Sequence, residues 1–401
     1  MSGIGGIMDI ENYGVDIERL NKMRLALSLR GRKRSTAFLS GSVGIFFNSS
    51  SPYAFSDRED RQPNIAQRRG HTYALCIDGE GFNSSSVLEK YMLQGIEFIG
   101  SLDGPFALSL YDGERNMLIL ARDRRGRRPL FYRLHRGSLA FSSEVKGLLG
   151  VSGEYTGVDK DILARHIISP MGVYGASDIY TDIRQVLPGE CVLFTRMGMS
   201  RFFYRCARTN KTMRAKQTAK DNTILTPYFS DINTSECLSE ALIAFDYPQF
   251  DAYMPSLCGL LGEASRKGKS GIYFEDPAKR KNLSYSYERE DRLGNLYGIS
   301  CIGVLSRQRE FDFCDALLSM REELLERFCV LSEGAKGFLS GVMCQSRYER
   351  IRRVTEERRN KKEDAEEDIR ILGMLLQTVD WAEANRLVIK SESSNLCYDY
   401  I

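Results

Sequence analysis

Across residues 1–205, apolar residues come in short runs broken by turn formers, a pattern that predicts strands and hairpins with a few helices between them. Residues 4–10 make a short apolar strand close to the first residue. Over residues 16–29, Ile17, Leu20, Met23 and Leu27 recur at helical spacing behind Asp16, a residue suited to cap a helix. Residues 106–111 and 117–121 are strand-like and are joined by Asp112-Gly113-Glu114-Arg115-Asn116, a turn composition. Residues 130–134 and 138–142 flank His135-Arg136-Gly137 in the same way, as a hairpin. Residues 143–149 then read as the start of a helix.

Residues 206–233 are polar and weakly patterned, which marks them as a linker. Beyond it the texture becomes helical. Residues 237–245 and 254–261 read as helices interrupted by Pro248 and Pro255, and residues 311–331 carry Leu317, Leu318, Leu324 and Leu325 on apolar positions. A tyrosine-rich stretch at 281–297 reads as a self-contained cluster of ion pairs and tyrosines. The mixed charges of residues 346–370 read as a solvated helix laced with i,i+4 pairs, each worth about 0.3–0.5 kcal/mol. Residues 369–381 predict a last amphipathic helix docked on a C-terminal core. The pattern gives a first domain over 1–205, a linker over 206–233 and a mainly helical domain over 234–401.

Composition changes this picture little. A chain of 401 residues accommodates two domains, and a hydrophobic share of 42% with 27% charged residues is that of an ordinary soluble protein. The net charge of +3, from 56 basic and 53 acidic residues, gives no reason to expect a nucleic-acid partner. The arginines at 122, 124, 125, 127, 128, 133 and 136 are the most conspicuous local charge and read as the elaboration of a basic turn around Gly126. Ten cysteines stand singly with no C-x-x-C pair, and there are three histidines, so no metal site or other cofactor is expected. The cysteines read as small core residues of a reduced protein. No signal peptide and no membrane span are expected, and the expectation is a cytoplasmic protein.

Several short segments stand in a telling order. They are Met1-Ser2-Gly3-Ile4-Gly5-Gly6-Ile7, Leu29-Arg30-Gly31, Arg61-Gln62-Pro63, Asp78-Gly79-Glu80-Gly81-Phe82-Asn83 and Leu102-Asp103-Gly104-Pro105-Phe106-Ala107. Ala121-Arg122-Asp123-Arg124-Arg125-Gly126-Arg127-Arg128-Pro129-Leu130-Phe131-Tyr132 follows, then Phe141-Ser142-Ser143-Glu144-Val145-Lys146 and Leu187-Pro188-Gly189. Together they resemble, in register, the glutaminase (class II glutamine amidotransferase) domain of the glutamine-hydrolysing asparagine synthetase family. The resemblance implies an α+β architecture: a four-layer αββα sandwich of the N-terminal-nucleophile hydrolase kind, followed here by a mainly helical α/β domain.

In that family the initiator Met is removed, and residue two attacks the glutamine amide with its own α-amine as general base. The Asn and Gly of an N-G-E segment supply oxyanion donors. An Arg in an N-R-L segment holds the substrate carboxylate, and an Asp in an S-D-T-E loop holds the substrate amine. The ammonia passes to a second domain that activates aspartate with ATP. Carried over by position, Ser2 stands at the nucleophile, Asp78 and Gly79 at the oxyanion donors, and Ser49 and Glu80 at substrate-binding positions.

This chain departs from the family at several of these points, while Gly79 and Glu80 match its pattern. Ser2 replaces the cysteine, a weaker nucleophile near neutral pH, although serine nucleophiles occur among amino-terminal hydrolases. Asp78 replaces the oxyanion Asn, so a carboxylate stands where negative charge develops. One lost donor of this kind costs about 2.7–4 kcal/mol. Asn48-Ser49-Ser50 lacks the carboxylate-gripping Arg, and the R-G-P-D segment has become Arg30-Gly31-Arg32-Lys33. Between Asn83 and Leu102 the chain is shorter than in the family and contains no Asp.

Downstream, an ATP-pyrophosphatase loop S-G-G-x-D-S is missing. The nearest string, Leu339-Ser340-Gly341-Val342, lacks the second Gly and the Asp and reads as a turn between helices. The expectation is a catalytically degenerate asparagine synthetase relative that binds a protein partner or a small amide ligand, with a second copy of the chain among the candidate partners. Two rivals stand beside it. One is an active amidohydrolase or amidotransferase that uses Ser2, and the other is a synthetase subunit working with a separate ATP-using partner.

Overall fold

A computed structural model describes residues 2–9, 11, 14–31, 33–49, 61–79, 81–149, 156–168, 179–204, 234–250, 254–269, 271–273, 292–294, 296–302, 314–342, 349, 353, 365–385 and 388–390. Compact packing divides the chain into two units, Met1–Glu154 with Asp182–Thr218 and Tyr155–Thr181 with Ala219–Ile401. In this division Tyr155–Thr181 groups with the second unit. The expected linker at 206–233 lies outside the described residues.

In the first unit the strands are β1 (Gly3–Asp9), β2 (Arg34–Ser40), β3 (Val43–Ser49), β4 (Asn64–Arg68), β5 (His71–Gly79), β6 (Phe106–Asp112), β7 (Met117–Arg122), β8 (Phe131–His135) and β9 (Ser138–Ser142). After β10 (Gly157–Asp159), which belongs to the second unit, come β11 (Ile183–Gln185), β12 (Glu190–Thr195) and β13 (Gly198–Phe203). They form two six-stranded sheets, ordered β11-β8-β9-β1-β3-β2 and β13-β12-β7-β6-β5-β4. Every pairing within these two sheets is antiparallel.

Strand alternation divides the buried surface between two layers. In β5, Ala74 and Cys76 enter the core between the sheets with Ile4, Met8, Val43, Ile45, Leu118, Leu120, Val192 and Phe194. The intervening Tyr73, Leu75 and Ile77 face the other way, against Val87, Leu88 and Tyr91 of helix α2 (Ser84–Gln94) and against Phe98 and Ile99. Helix α1 (Ile17–Ala26) covers the outer face of the first sheet with buried Leu20 and Met23, and Asp16 Oδ1 caps it by accepting from Glu18 N at 2.9 Å and Arg19 N at 3.1 Å. The layers are thus helix, sheet, sheet, helix, the αββα sandwich that the resemblance implies. Burying one large aliphatic or aromatic side chain contributes roughly 1.5–3 kcal/mol, so this doubly lined sheet pair supplies most of the driving force of the unit.

The second unit is mainly helical. It contains α3 (Lys160–Ile168), α4 (Thr234–Ala244), α5 (Met254–Arg266), α6 (Cys314–Cys329), α7 (Glu333–Val342) and α8 (Ala365–Ala384). Two short parallel pairs accompany the helices: β10 with β16 (Val388–Lys390), and β14 (Gly271–Tyr273) with β15 (Ser300–Ile302). α8 is the expected last helix, and it packs against α3, α4, α6 and α7. Its Gly373 lies under the Phe250 ring, where an added Cβ would come within 2.0 Å. Trp381 is buried and its Nε1 donates to the Asp246 carbonyl at 3.0 Å.

Three local expectations are corrected. Residues 143–149 do not open an α-helix and make only a 3-10 turn at Val145–Gly147. Gly147 is a poor helix former and is wedged against Leu27, whose Cδ1 lies 2.3 Å from where a Cβ would stand. Pro255 does not interrupt its helix. It is the second residue of α5, where a missing N–H costs nothing. The tyrosine-rich segment is not self-contained, because Arg292 Nη1 pairs with Asp246 at 2.8 Å and Tyr297 bonds Glu240. Most of residues 281–297 and of 346–370 lies outside the described residues.

Candidate active site

The site is built where β1, the end of α1 and the end of β5 converge. Ser2 directly precedes β1 and is half-buried. β1 lies between β9 and β3, with Gly3 opposite Asn48 and Gly5 opposite Ser142. Asn48 Oδ1 accepts from Ser35 Oγ at 2.6 Å, while its Nδ2 donates to the Arg24 carbonyl at 3.2 Å and to Leu27 at 3.1 Å, closing the carbonyl end of α1. Gly31 then turns the chain with φ +78°. An added Cβ there would sit 2.1 Å from the Asn48 carbonyl oxygen, so only glycine fits.

That turn delivers Arg30 into the interior. Its side chain is 1% exposed. Nε donates to the Ser2 carbonyl at 3.1 Å, Nη1 to Glu144 Oε1 at 3.3 Å and Nη2 to Asp78 Oδ2 at 3.0 Å. Lys146 Nζ stands 2.9 Å from Glu144 Oε2. Among the described residues, two cations and two carboxylates thus meet beside Ser2. Burial makes such a network expensive to break, since removing one partner leaves a charge unpaired in a poorly solvated site.

The structure therefore brings Ser2 and Asp78 to one guanidinium, through its Nε and Nη2. As a carboxylate, Asp78 offers only acceptor atoms, and its Oδ2 is taken up by Arg30. Gly79 ends β5, and a Cβ on it would meet both the Phe82 ring and the Pro105 carbonyl at 2.8 Å. Ser49 ends β3, where it is buried and its carbonyl accepts from Lys33 N at 3.0 Å. A hydroxyl there supplies no positive charge for a substrate carboxylate. Glu80 and Ser50 lie outside the described residues.

The interval after Asn83 is fully occupied. Asn83 caps α2 through Ser86 N at 2.9 Å, and a 3-10 helix, Gly95–Ser101, carries the chain to Leu102. No loop is left there to present an acid to a substrate amine. Cys76, two residues before Asp78, is no replacement nucleophile. It is fully buried, and burial pushes its thiol well above the ordinary value.

The longest family-like segment proves architectural. Asp123 accepts from the backbone N–H groups of Arg125 at 3.0 Å, Arg127 at 2.9 Å, Arg128 at 3.3 Å and Phe106 at 3.4 Å. Arg122 donates to the carbonyls of Arg128 at 2.6 Å, Val186 at 3.1 Å and Gly126 at 2.5 Å. Arg133 is also buried and pairs with Asp182, so the conspicuous arginines are not one surface. In the second unit, Leu339-Ser340-Gly341-Val342 forms the last turn of α7 rather than a turn between helices. A helix C-terminus presents carbonyl groups and the negative end of the dipole, the opposite of a phosphate cradle. Among the described residues no group of three or more His, Cys, Asp or Glu could hold a metal.

The family pattern points to Ser2, Asp78, Gly79 and Ser49 but not to Arg30, Glu144 and Lys146, which the structure gathers beside Ser2 and Asp78. All three lie inside recognised segments, and the signal available was a set of basic and acidic residues bracketing apolar runs.

A family model described as a glutamine amidotransferase domain matches residues 84–205. Asparagine synthetase (glutamine-hydrolysing) 3 of Bacillus subtilis is 24% identical over 316 residues, covering 73% of this chain and 49% of that protein. Asparagine synthetase B of Escherichia coli is 29% identical over 178 residues, covering 38% of this chain and 30% of that protein. A glutamine phosphoribosylpyrophosphate amidotransferase structure from Bacillus subtilis superposes with a TM-score of 0.36 at 15% identity, over 77% of this chain and 67% of that one.

Residues 84–205 thus lie in a glutamine amidotransferase domain. That domain is asparagine synthetase-like. A span of 73% of the chain is longer than its first 205 residues, so the likeness to the Bacillus protein takes in part of the C-terminal half. The chain spans about half the length of that relative.

Proposed function

We propose that this asparagine synthetase-like chain is catalytically degenerate at its glutaminase site and works as a binding or regulatory protein. The observation that carries the reading is the Asp78 carboxylate, at the family's oxyanion position, clamped by Arg30 at 3.0 Å. Catalysis of amide hydrolysis needs donors aimed at the developing oxyanion, and losing one costs about 2.7–4 kcal/mol before any repulsion from a carboxylate is added. The hydroxyl of Ser2 and the uncharged Ser49 weaken nucleophile and substrate grip as well. These groups act as a unit, so their joint loss argues against a mere change of specificity.

The scaffold that holds them is intact, which supports a retained binding role, for a small amide ligand or a protein partner. The position of Leu339-Ser340-Gly341-Val342 at a helix C-terminus supports the absence of a synthetase step in this chain. The test is ammonia release from glutamine by the purified chain, with Ser2→Ala as the control. Release that depends on Ser2 would favour the active amidohydrolase instead.

A further inference from the structure

We infer that Cys237 and Cys258 form an oxidisable dithiol, a modification site that ties α4 to α5 in the second unit. Cys237 donates a hydrogen bond to Cys258, with the two sulfurs 3.3 Å apart, and the side chains come from two adjacent helices. Both are nearly sealed from solvent, at 2% and 6% exposure. A disulfide needs its sulfurs at about 2.05 Å, a closure that small side-chain rotations on facing helices can supply.

The neighbours of the pair favour a cross-link over metal capture. Glu240, on the same helix as Cys237, is engaged by the Tyr297 hydroxyl, and no group of three or more metal-binding side chains occurs among the described residues. Contact with Cys237 and burial push the Cys258 thiol well above its ordinary value, so little thiolate forms and the pair reacts slowly. A small oxidant of the peroxide class suits so enclosed a site. One thiolate attacks the peroxide to give a sulfenic acid and release water after proton transfer. The second thiol then displaces a second water and forms the S–S bond. Two thiols lose two electrons and two protons, and one peroxide becomes two waters.

Three other cysteines are placed differently. Cys76 and Cys191 are buried within the two cores of the first unit, and Cys329 is exposed on α6. The exposed thiol therefore serves as an internal control for oxidant delivery.

The experiment treats the full chain with a small excess of hydrogen peroxide, blocks free thiols in denaturant and maps peptides without reduction. The expected result is a cross-linked peptide pair containing Cys237 and Cys258, lighter by two hydrogens than the separate peptides and released by dithiothreitol. In the oxidised protein, amide exchange in α4 and α5 slows. Recovery of both cysteines as separately blocked thiols, after Cys329 has been oxidised, would overturn the inference, and so would either cysteine found mainly in another linkage or as a sulfinic acid. Cys258→Ser and Cys237→Ala should each abolish the cross-link. Because the mapping is carried out on the unaltered chain, poor folding of either variant leaves the result decisive.

Discussion

Arg30 Nη2 stands 3.0 Å from Asp78 Oδ2, with both side chains buried, and the same guanidinium holds the Ser2 carbonyl and Glu144. The pairing makes Asp78 half of an internal salt bridge.

Removing the cation should therefore cost more than removing the anion. Arg30→Ala leaves Asp78 and Glu144 buried without their shared partner and should destabilise the first unit by about 3–5 kcal/mol. Asp78→Asn keeps the shape and leaves Arg30 paired with Glu144, so its loss should stay near 1–2 kcal/mol. Amide exchange in β1 and β5 measures both. Equal effects would show that the guanidinium is not the hub.

Asp123 should matter as structure rather than chemistry. Asp123→Ala strands four backbone N–H groups and should cost on the order of 3 kcal/mol, with Asp123→Asn losing less. Faster exchange at the Arg125, Arg127 and Arg128 amides is the expected sign, and unchanged protection there would rule the scaffold role out.

Much of this fold was legible in residue order because its signals are local. The apolar runs at 106–111 and 117–121, joined by a turn composition, mark β6 and β7, and Asp16 ahead of a helical repeat marks α1. The site was legible only as a set of departures from a family pattern. Arg30 lies 48 residues from Asp78 and 114 from Glu144, and no local periodicity reports so distant a pairing. The placement of α3 with the second unit depends on long-range packing in the same way, as does the link between Arg292 and Asp246. Pro255 misled because a proline that stops a helix and one that starts it look alike in sequence.

His166 gives the second unit an acid-sensitive element. It is buried, its Nε2 lies 2.7 Å from the Pro248 carbonyl, and burial holds its folded pKa below the ordinary 6.5. The unfolded chain then binds the proton more readily than the folded one, so this contribution is intact above the unfolded value and stability falls as pH drops below it. Trp381 is the chain's single tryptophan and reports on this unit. Its fluorescence should show an unfolding midpoint that falls between about pH 7 and pH 5, with a shallower fall in His166→Gln. Identical slopes would remove His166 from the account.

Restoring single groups should not restore glutaminase chemistry. Ser2→Cys combined with Asp78→Asn still lacks a cation at Ser49 and an acid after Asn83, so ammonia release from glutamine should remain at the background rate. Turnover by this double variant would mean that the scaffold alone positions the substrate.

The most direct test of degeneracy is ammonia release from glutamine by the unaltered chain, read against its Ser2→Ala variant. The expected result is no release above the uncatalysed rate and no difference between the two proteins. Release by the unaltered chain that Ser2→Ala abolishes would contradict the account.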